Sequence, residues 1–315
     1  MLTPQAGVIS EVLEIHTTMR FIPSLLAVAI GSSFAIQANE AESSVERITV
    51  QGDFRQQSVQ QLAGSIAVVT EQDVKRTSAQ HLDDVLSQFA NVNFAAGASR
   101  GRYIQIRGIG ERSEFVDTIN PSVGILIDGI DYSGLGITGI SDIAQLEVFR
   151  GPEASRFGAN ALAGMLNLTS KGPTATAEGK VSATLANYDS RQFTGQFSNS
   201  INSKLGYSLA LEQQTSDGFI DNVFLNRDNT NNIDEFSGRF KLGYQASDKL
   251  TLQFIAHLTD QDNGYDAFSL DRNRTTLSDQ PGQDQIRSKA LAIKMDYSAL
   301  ALANFQGQLS WLTAD

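Results

Sequence analysis

The stretch that decides the fold is IAQLEVFRGPEASRFGANALAGMLNLTSKGP, residues 143–173. It opens with an apolar run that predicts a β-strand, passes through Arg-Gly-Pro into small residues and glycines, and ends in a second apolar run. Two segments precede it, IQIRGIG at 104–110 and VGILIDGI at 123–130. Their alternating apolar residues predict short half-buried strands, and Arg107-Gly108 and Asp128-Gly129 predict turns whose glycines permit positive φ. Considered alone, these segments indicate a small mixed α/β domain.

Two short helices are predicted before these strands. Thr70 and Asp73 have the spacing of a capping box, which begins a helical turn after the strand-like run at 64–70. A second helix is indicated by an apolar stripe at i, i+3, i+4 and i+7, formed by Leu82, Val85, Leu86 and Phe89. This second helix is interpreted as scaffold.

In order and spacing, the segments at 104–110, 123–130 and 143–173 resemble the plug domain of TonB-dependent outer-membrane receptors. The resemblance implies an α+β plug domain over residues 61–173, with glycine-rich and serine-rich loops that form apices facing an incoming substrate. The residues expected at these apices are Arg102, Tyr103, Arg112, Phe115 and Tyr132.

Arg107 and Arg150 each end an apolar strand run and are followed by glycine. A guanidinium group buried at such a place needs a partner, because an unpaired buried charge is strongly destabilising. In the family that the chain resembles, the matching arginines pair with glutamates of the barrel wall. The resemblance therefore implies that both residues lock the plug in the lumen, whereas the residues alone also allow a solvated arginine at a strand end.

The N-terminal region predicts export. Residues 19–41 combine a basic start, an apolar run and small residues, which is typical of a cleavable signal peptide, and residues 1–18 are interpreted as a spurious extension. The apolar run is shorter than the ~20 residues of a spanning helix. Residues 42–60 resemble a TonB box with its linker, and the box consists of Glu46, Arg47, Ile48, Thr49 and Val50. A partner's sheet edge can capture such a strand, but the segment could also be the first strand of the plug.

From residue 179 onward the apolar period becomes two. In the segment 289–298, for example, Leu291 and Ile293 lie on one face and Lys294 on the other. Seven such segments of about ten residues are typical of membrane β-strands, because strands of a soluble sandwich average about five or six residues. Residues 179–315 are therefore predicted to be the N-terminal part of an antiparallel transmembrane β-barrel. It is incomplete, with about seven strands of the roughly 22 that the resembled receptors have.

The lengths of the predicted connections support this interpretation. When the connections between the seven strands are numbered in chain order, the two long ones, 215–234 and 260–288, are both odd-numbered. They therefore fall on the same side of the predicted sheet. The even-numbered connections are all short, as expected for periplasmic turns of an outer-membrane barrel.

The composition and the short motifs of the chain argue against nucleic-acid binding, metal binding and nucleotide-dependent catalysis. The chain of 315 residues has a net charge of −11, which disfavours a nucleic-acid partner, and it has no cysteine. Its three histidines, His16, His81 and His257, share no metal-ligand spacing. GLGITG at 134–139 satisfies the GxGxxG pattern but opens no helix of sufficient length, so a nucleotide-dependent enzyme is disfavoured. The sequence thus predicts no catalytic residues, no metal and no cofactor, and the protein is not expected to be an enzyme.

The function implied by the resemblance is energised uptake of a scarce nutrient across the outer membrane of a Gram-negative bacterium. The expected partners are TonB with its inner-membrane energising complex, outer-membrane lipid, and a small-molecule or metal-chelate substrate. An iron-siderophore is the commonest substrate class in such receptors. The alternative is a plug-bearing fragment that only interacts with TonB and transports nothing.

Overall fold

The computed structural model describes residues 12–15, 49–50, 64–77, 79, 81–95, 99–112, 121–136, 139–157, 160–267, 271, 273–300 and 303–315. The predicted signal peptide, the residues Glu46, Arg47 and Ile48 of the predicted TonB box, and Phe115 lie outside this part of the chain. The first described element is strand β1 (Val12–Ile15). The remainder forms two regions, which we call the plug (residues 64–170) and the wall (residues 178–314).

The described part of the plug contains seven strands and three short helices. In chain order they are β2 (Ile66–Thr70), α1 (Glu71–Arg76), α2 (Leu82–Leu86), β3 (Val92–Ala95), β4 (Tyr103–Ile106), β5 (Val123–Ile127), β6 (Ile130–Asp131), β7 (Ile143–Phe149), α3 (Ala154–Phe157) and β8 (Gly164–Ser170). Five strands form one sheet in the order β2-β7-β8-β5-β6, in which only β5 and β8 run parallel. Strands β3 and β4 form a separate hairpin. The predicted mixed domain is confirmed.

Apolar side chains from the helices and the sheet close the plug core. Helix α1 begins at the predicted capping box, in which Thr70 and Asp73 exchange hydrogen bonds. Helix α2 turns the predicted stripe inward, so that Val85 and Leu86 are buried and Phe89 packs at the edge of the core. Full burial of one such side chain contributes about 1.5–3 kcal/mol.

Among the described residues, no helix combines the length and the apolar composition that a membrane crossing requires.

The wall confirms the seven predicted long strands and adds two short ones. In chain order they are β9 (Glu178–Ala186), β10 (Ser190–Ser200), β11 (Leu205–Ser216), β12 (Asp221–Asn222), β13 (Ile233–Ser247), β14 (Leu250–Tyr265), β15 (Thr275–Thr276), β16 (Gly282–Leu300) and β17 (Ala303–Ala314). The long strands pair antiparallel in chain order, and β1 pairs antiparallel with β9. Because β1 and β17 lie at opposite edges, the described strands form an open sheet.

The two faces of the wall differ in polarity. Apolar side chains such as Leu185 and Leu309 are 60% and 78% exposed. On the other face, polar side chains such as Thr194, Ser208 and Lys241 are buried. This inversion is typical of a barrel strand that has lipid outside and a filled lumen inside.

The connections of the wall follow the predicted parity. Residues 201–204 and 248–249 make short turns on one side, whereas 217–232 and 266–281 make long connections on the opposite side. The two long connections touch each other, because β12 and β15 pair in parallel. The side with long connections corresponds to the predicted outer side of the barrel.

Candidate functional site at the plug–wall interface

The Asp128-Gly129 turn of the plug contacts the wall. It joins β5 to β6, and both residues have positive φ, 54° at Asp128 and 81° at Gly129. The positive φ of residue 129 favours glycine, and a Cβ atom there would also displace the flexible end of the Gln308 side chain in β17. Nε2 of Gln308 also donates to the carbonyl of Asp128 at 3.3 Å. The turn thus brings the Asp128 carboxylate to the polar face of the wall.

Asp128 is held by side chains from both regions. Its Oδ1 accepts from Nζ of Lys241 at 2.7 Å, its Oδ2 lies 3.2 Å from Nε2 of His257, and Ser170 of the plug donates to both oxygens. Only 2% of the side chain is exposed. Burial alone would raise the pKa of this carboxyl, but the hydrogen bond from His257 and the charge of Lys241 hold it well below its usual range. Asp128 is therefore a buried anion that connects plug and wall.

Tyr132 extends this contact on the other side of His257. Its hydroxyl lies 3.1 Å from Nδ1 of His257, and the two ring centroids are 6.0 Å apart. A neutral imidazole satisfies both contacts if Tyr132 donates to Nδ1 while Nε2 donates to Asp128. Burial raises the pKa of Tyr132 to about 12, so the phenol keeps the proton that it donates. The sequence placed Tyr132 at a substrate-facing apex, whereas its side chain is 4% exposed and contacts the wall.

A second buried ion pair joins the plug to β13. Arg239 pairs with Asp142, and both side chains are less than one-tenth exposed. Arg239 also donates to the carbonyl of Gly139 at 2.6 Å. A Cβ atom on residue 139 would collide with Ser237 of the wall, so the last glycine of GLGITG permits the loop to pack there. This glycine serves plug–wall packing, and residues 137–138 of the motif lie outside the described residues.

A third set of contacts lies nearer the long connections of the wall. Arg100 donates to both carboxylate oxygens of Glu235, from Nε at 2.7 Å and from Nη2 at 3.1 Å. Arg102, predicted at an apex, pairs with Asp284, and Oγ of Ser99 donates to the same carboxylate at 2.6 Å. Bidentate pairing between a guanidinium and a carboxylate fixes orientation as well as adding strength. The plug loop at 99–102 is thus fastened to β13 and β16.

The described end of the predicted TonB box lies against the plug sheet. Val50 is fully buried and packs with Phe149 and Met165. The carbonyl of Thr49 accepts a hydrogen bond from Nε2 of Gln145 at 2.9 Å. Thr49 and Val50 are therefore attached to the plug at strand β7, and the remaining three residues of the box lie outside the described chain.

The other predicted site residues are not brought together. Arg107 is exposed in the turn after β4 at a φ of 55°, and no ion pair of its side chain occurs within the described ranges. The backbone N–H of Arg150 donates to the carbonyl of Ser65 at 2.9 Å, which ties it to the plug. Tyr103 is half-buried in β4, and Arg112 is exposed. The locking role of Arg107 and Arg150 stays a prediction.

The sequence did not identify the residues that fasten the plug to the wall. They are charged or polar side chains that meet across the interface: Arg100, Asp128, Asp142, Glu235, Arg239, Lys241, His257 and Asp284. The available signal was the placement of Arg239 and Lys241 on the polar face of a predicted strand. The partners could not be read from spacing, because they lie 97 to 185 residues apart along the chain.

Residues 58–165 match the family model described as TonB-dependent Receptor Plug Domain. The vitamin B12 transporter BtuB of Vibrio cholerae is 25% identical over 210 residues, which cover 62% of this chain and 33% of that protein. The chain thus spans about a third of the length of the curated relatives that it matches.

Solved structures share the fold. The ferric yersiniabactin uptake receptor FyuA from Yersinia pestis matches with a TM-score of 0.71 and 21% identity, covering 80% of this chain and 41% of that one. The ferric-catecholate import receptor Fiu from E. coli K12 matches with a TM-score of 0.63 and 18% identity, covering 82% and 40%. Both likenesses extend over most of this chain, and so beyond the matched plug residues.

Proposed function

We propose that the complete protein imports a nutrient across the outer membrane. The proposal is supported by the match of residues 58–165 to the plug-domain model of TonB-dependent receptors and by the fold shared with receptors such as FyuA. The import is driven by TonB and its inner-membrane complex in a Gram-negative bacterium. The proposed substrate class is an iron-siderophore, and vitamin B12 is the second candidate because BtuB is among the relatives. The proposal includes no chemical conversion of the substrate.

The observation that carries this proposal is the polarity of the plug–wall interface. The apolar core of the plug extends only to a few wall residues, including Ile255 and Ala292. The interface also holds buried ion pairs, Lys241 with Asp128 and Arg239 with Asp142. Charged groups can exchange such partners for water, whereas exposed apolar area gains nothing from hydration. An interface of this kind suits a plug that shifts in the lumen while its own core stays packed.

The segment that TonB would bind and pull in this movement is 46–50. A strand on a polar tether can pair with the edge of a partner's sheet through main-chain hydrogen bonds. Tension on the segment would act first on Val50, which packs on Phe149, and on the hydrogen bond from Gln145 to Thr49. Both contacts lead directly into strand β7, so force applied to the segment reaches the plug sheet.

The test uses the complete protein in intact cells, with radiolabelled ferric siderophores and labelled cyanocobalamin as probes. Deletion of residues 46–50 is expected to abolish energised uptake and to leave surface binding of the accepted probe unchanged. A finer variant is Ile48→Pro, which removes a main-chain donor needed for strand pairing. Its matched control is Ile48→Val, which keeps the donor and the β-propensity and should transport normally.

Two outcomes would count against the proposal. Unaltered uptake after the deletion would show that TonB does not act through residues 46–50. Binding of TonB by the complete protein without uptake of any probe would favour the alternative of a plug-bearing protein that only interacts with TonB.

A further inference from the structure

A cavity of about 360 Å³ lies between the plug and the wall. Its lining comes from helix α1, from the segment after β8, and from strands β9, β10, β11 and β13. Glu178 begins β9 and Ser198 lies near the end of β10, so the cavity is on the side of the wall that has the short connections. Its volume falls in the range of small-molecule sites, about 300–1,000 Å³.

The charge of this cavity is opposite to that of the chain. Five cationic side chains line it against three acidic ones, although the chain has a net charge of −11. The cations are Lys75, Lys171, Lys180, Arg239 and Lys241, and the acids are Glu71, Asp142 and Glu178. Asp128, which pairs with Lys241 at 2.7 Å, adds a fourth carboxylate next to this lining. Five cations thus face four carboxylates, which leaves a small excess of positive charge at neutral pH.

Two of the lysines share one carboxylate at the plug side of the cavity. Oε1 of Glu71 lies 2.6 Å from Nζ of Lys75 and 2.6 Å from Nζ of Lys171. Nζ of Lys171 also donates to Oε1 of Gln196 in β10 at 3.0 Å. Burial alone would raise the pKa of Glu71, but the hydrogen bonds from Lys171 and Lys75 hold it below its ordinary value. Glu71 is thus ionised, and it compensates only one of the two ammonium groups.

The polar face of the wall supplies the charged lining of the cavity, including Lys180 and Arg239, while Phe197 and Leu209 add apolar lining. Because the cavity lies on the short-connection side, an anion would enter it from that side or from the lumen. Solutes that pass between plug and wall would meet this site.

We infer that the cavity binds an anionic solute, with carboxylate or phosphate groups, on a route between the plug and the wall. The inference rests on the proposed function, because a route is needed only if the complete protein transports its substrate. A cleft with low-dielectric walls and charges mainly of one sign raises the local concentration of the opposite ion. For the mixed lining of this cavity we expect about tenfold, the lower end of that effect. A carboxylate of the solute would compete with Glu71 for the ammonium group of Lys171.

The 315 residues contain no cysteine, so single thiols can report on the potential in the cavity. Ala210→Cys places a thiol in the lining, and Ser203→Cys places a control thiol in the exposed turn after β10. Both are made in the complete protein, freed of any other cysteine, in outer-membrane vesicles. The measurement is the rate of labelling by a negatively charged methanethiosulfonate relative to a positively charged one of similar size.

At each thiol, the labelling ratio is the rate with the anionic reagent divided by the rate with the cationic one. We expect this ratio to be about tenfold higher at residue 210 than at residue 203, and we call this relative preference the quotient. Lys75→Gln combined with Lys180→Gln should bring that quotient close to one. The matched control is Arg287→Gln combined with Lys289→Gln, which removes the same charge from exposed positions in β16, three strands away from β11. This control should leave the quotient unchanged, because both thiols lie in or beside other strands.

Labelling at residue 210 that shows no preference for the anionic reagent would overturn the inference and leave the proposed uptake untouched. An anionic preference that survives the Lys75 and Lys180 substitutions would also overturn it. Slower uptake with normal surface binding in that double variant would support it. Failure of the proposed function has a different signature, namely no energised uptake by the unaltered protein.

Discussion

The plug and the wall bury opposite kinds of side chain. The plug core is closed by apolar residues such as Leu86 and Leu166, which are fully buried. In the wall the apolar side chain of Leu309 is 78% exposed, while Lys241 and Arg239 are buried. The difference follows from what each face meets, because a free-standing core gains by excluding water and a barrel wall turns its polar face toward the lumen. The buried side chains of this molecule are therefore apolar in the plug core but often polar or charged in the wall.

This contrast separates two kinds of stability. Apolar packing should hold the plug together as a domain. Charged contacts should hold it in position against the wall, together with the apolar contacts of Ile255, Ala290 and Ala292. Substitutions chosen in matched pairs can test whether the two contributions are in fact distinct. The complete protein, reconstituted in lipid, is the material for each measurement.

The largest effect is expected for Asp128→Asn at the interface. Asparagine tolerates the positive φ of this position, so the substitution removes mainly the charge that Lys241 and His257 contact. Loss of one partner of a buried pair costs about 3–5 kcal/mol. The urea concentration that releases the plug, followed by protease sensitivity, should fall accordingly. Asp248→Asn, in an exposed turn, is the control, and equal shifts for both would contradict the assigned role of Asp128.

Leu86→Ala tests the apolar core of the plug. The side chain is fully buried, so its truncation should lower the free energy of plug unfolding by about 2–5 kcal/mol. Leu162→Ala removes the same atoms from a site that is 62% exposed, and it should cost less than about 0.5 kcal/mol. A similar cost at both sites, measured by thermal unfolding, would show that residue 86 does not lie in a packed core.

Leu309→Arg tests the apolar face of the wall. A cation placed on the lipid face of a membrane strand costs about 2–4 kcal/mol near the bilayer midplane. Its neighbour Ser310 points to the opposite face, so Ser310→Arg should be tolerated better. Folding yield and urea midpoint in lipid vesicles measure the difference. If the order of the two costs were reversed, the assignment of the two faces would be wrong.

The smallest effect is expected for Arg287→Gln. Arg287 pairs with Asp260 at 3.3 Å between β16 and β14, but both side chains are more than half exposed. Exposed ion pairs contribute at most about 1 kcal/mol, so the urea midpoint should change little. A loss as large as that of Asp128→Asn would mean that exposure does not distinguish the wall's ion pairs from those of the interface.

Sequence patterns predicted the elements well and the contacts between them poorly. The capping box at Thr70, the stripe at Leu86 and all seven long wall strands are confirmed, because each depends on a short periodic pattern or a local turn. The glycine-rich loop that carries Tyr132 predicts an exposed apex, which is wrong for this residue. Its burial depends on His257, which lies 125 residues further along the chain.

The amino-acid sequence alone determined the order of plug and wall, the polarity of each strand face and the parity of the connections. These properties follow from side-chain periods of 2.0 and 3.6 and from residues that permit turns, all of which act over a few residues. Only the tertiary structure decided which charges meet, that Asp128 is shared by Lys241 and His257, and that five cations surround one cavity. Electrostatic pairing depends on distance in space, and separation along the chain carries no record of that distance.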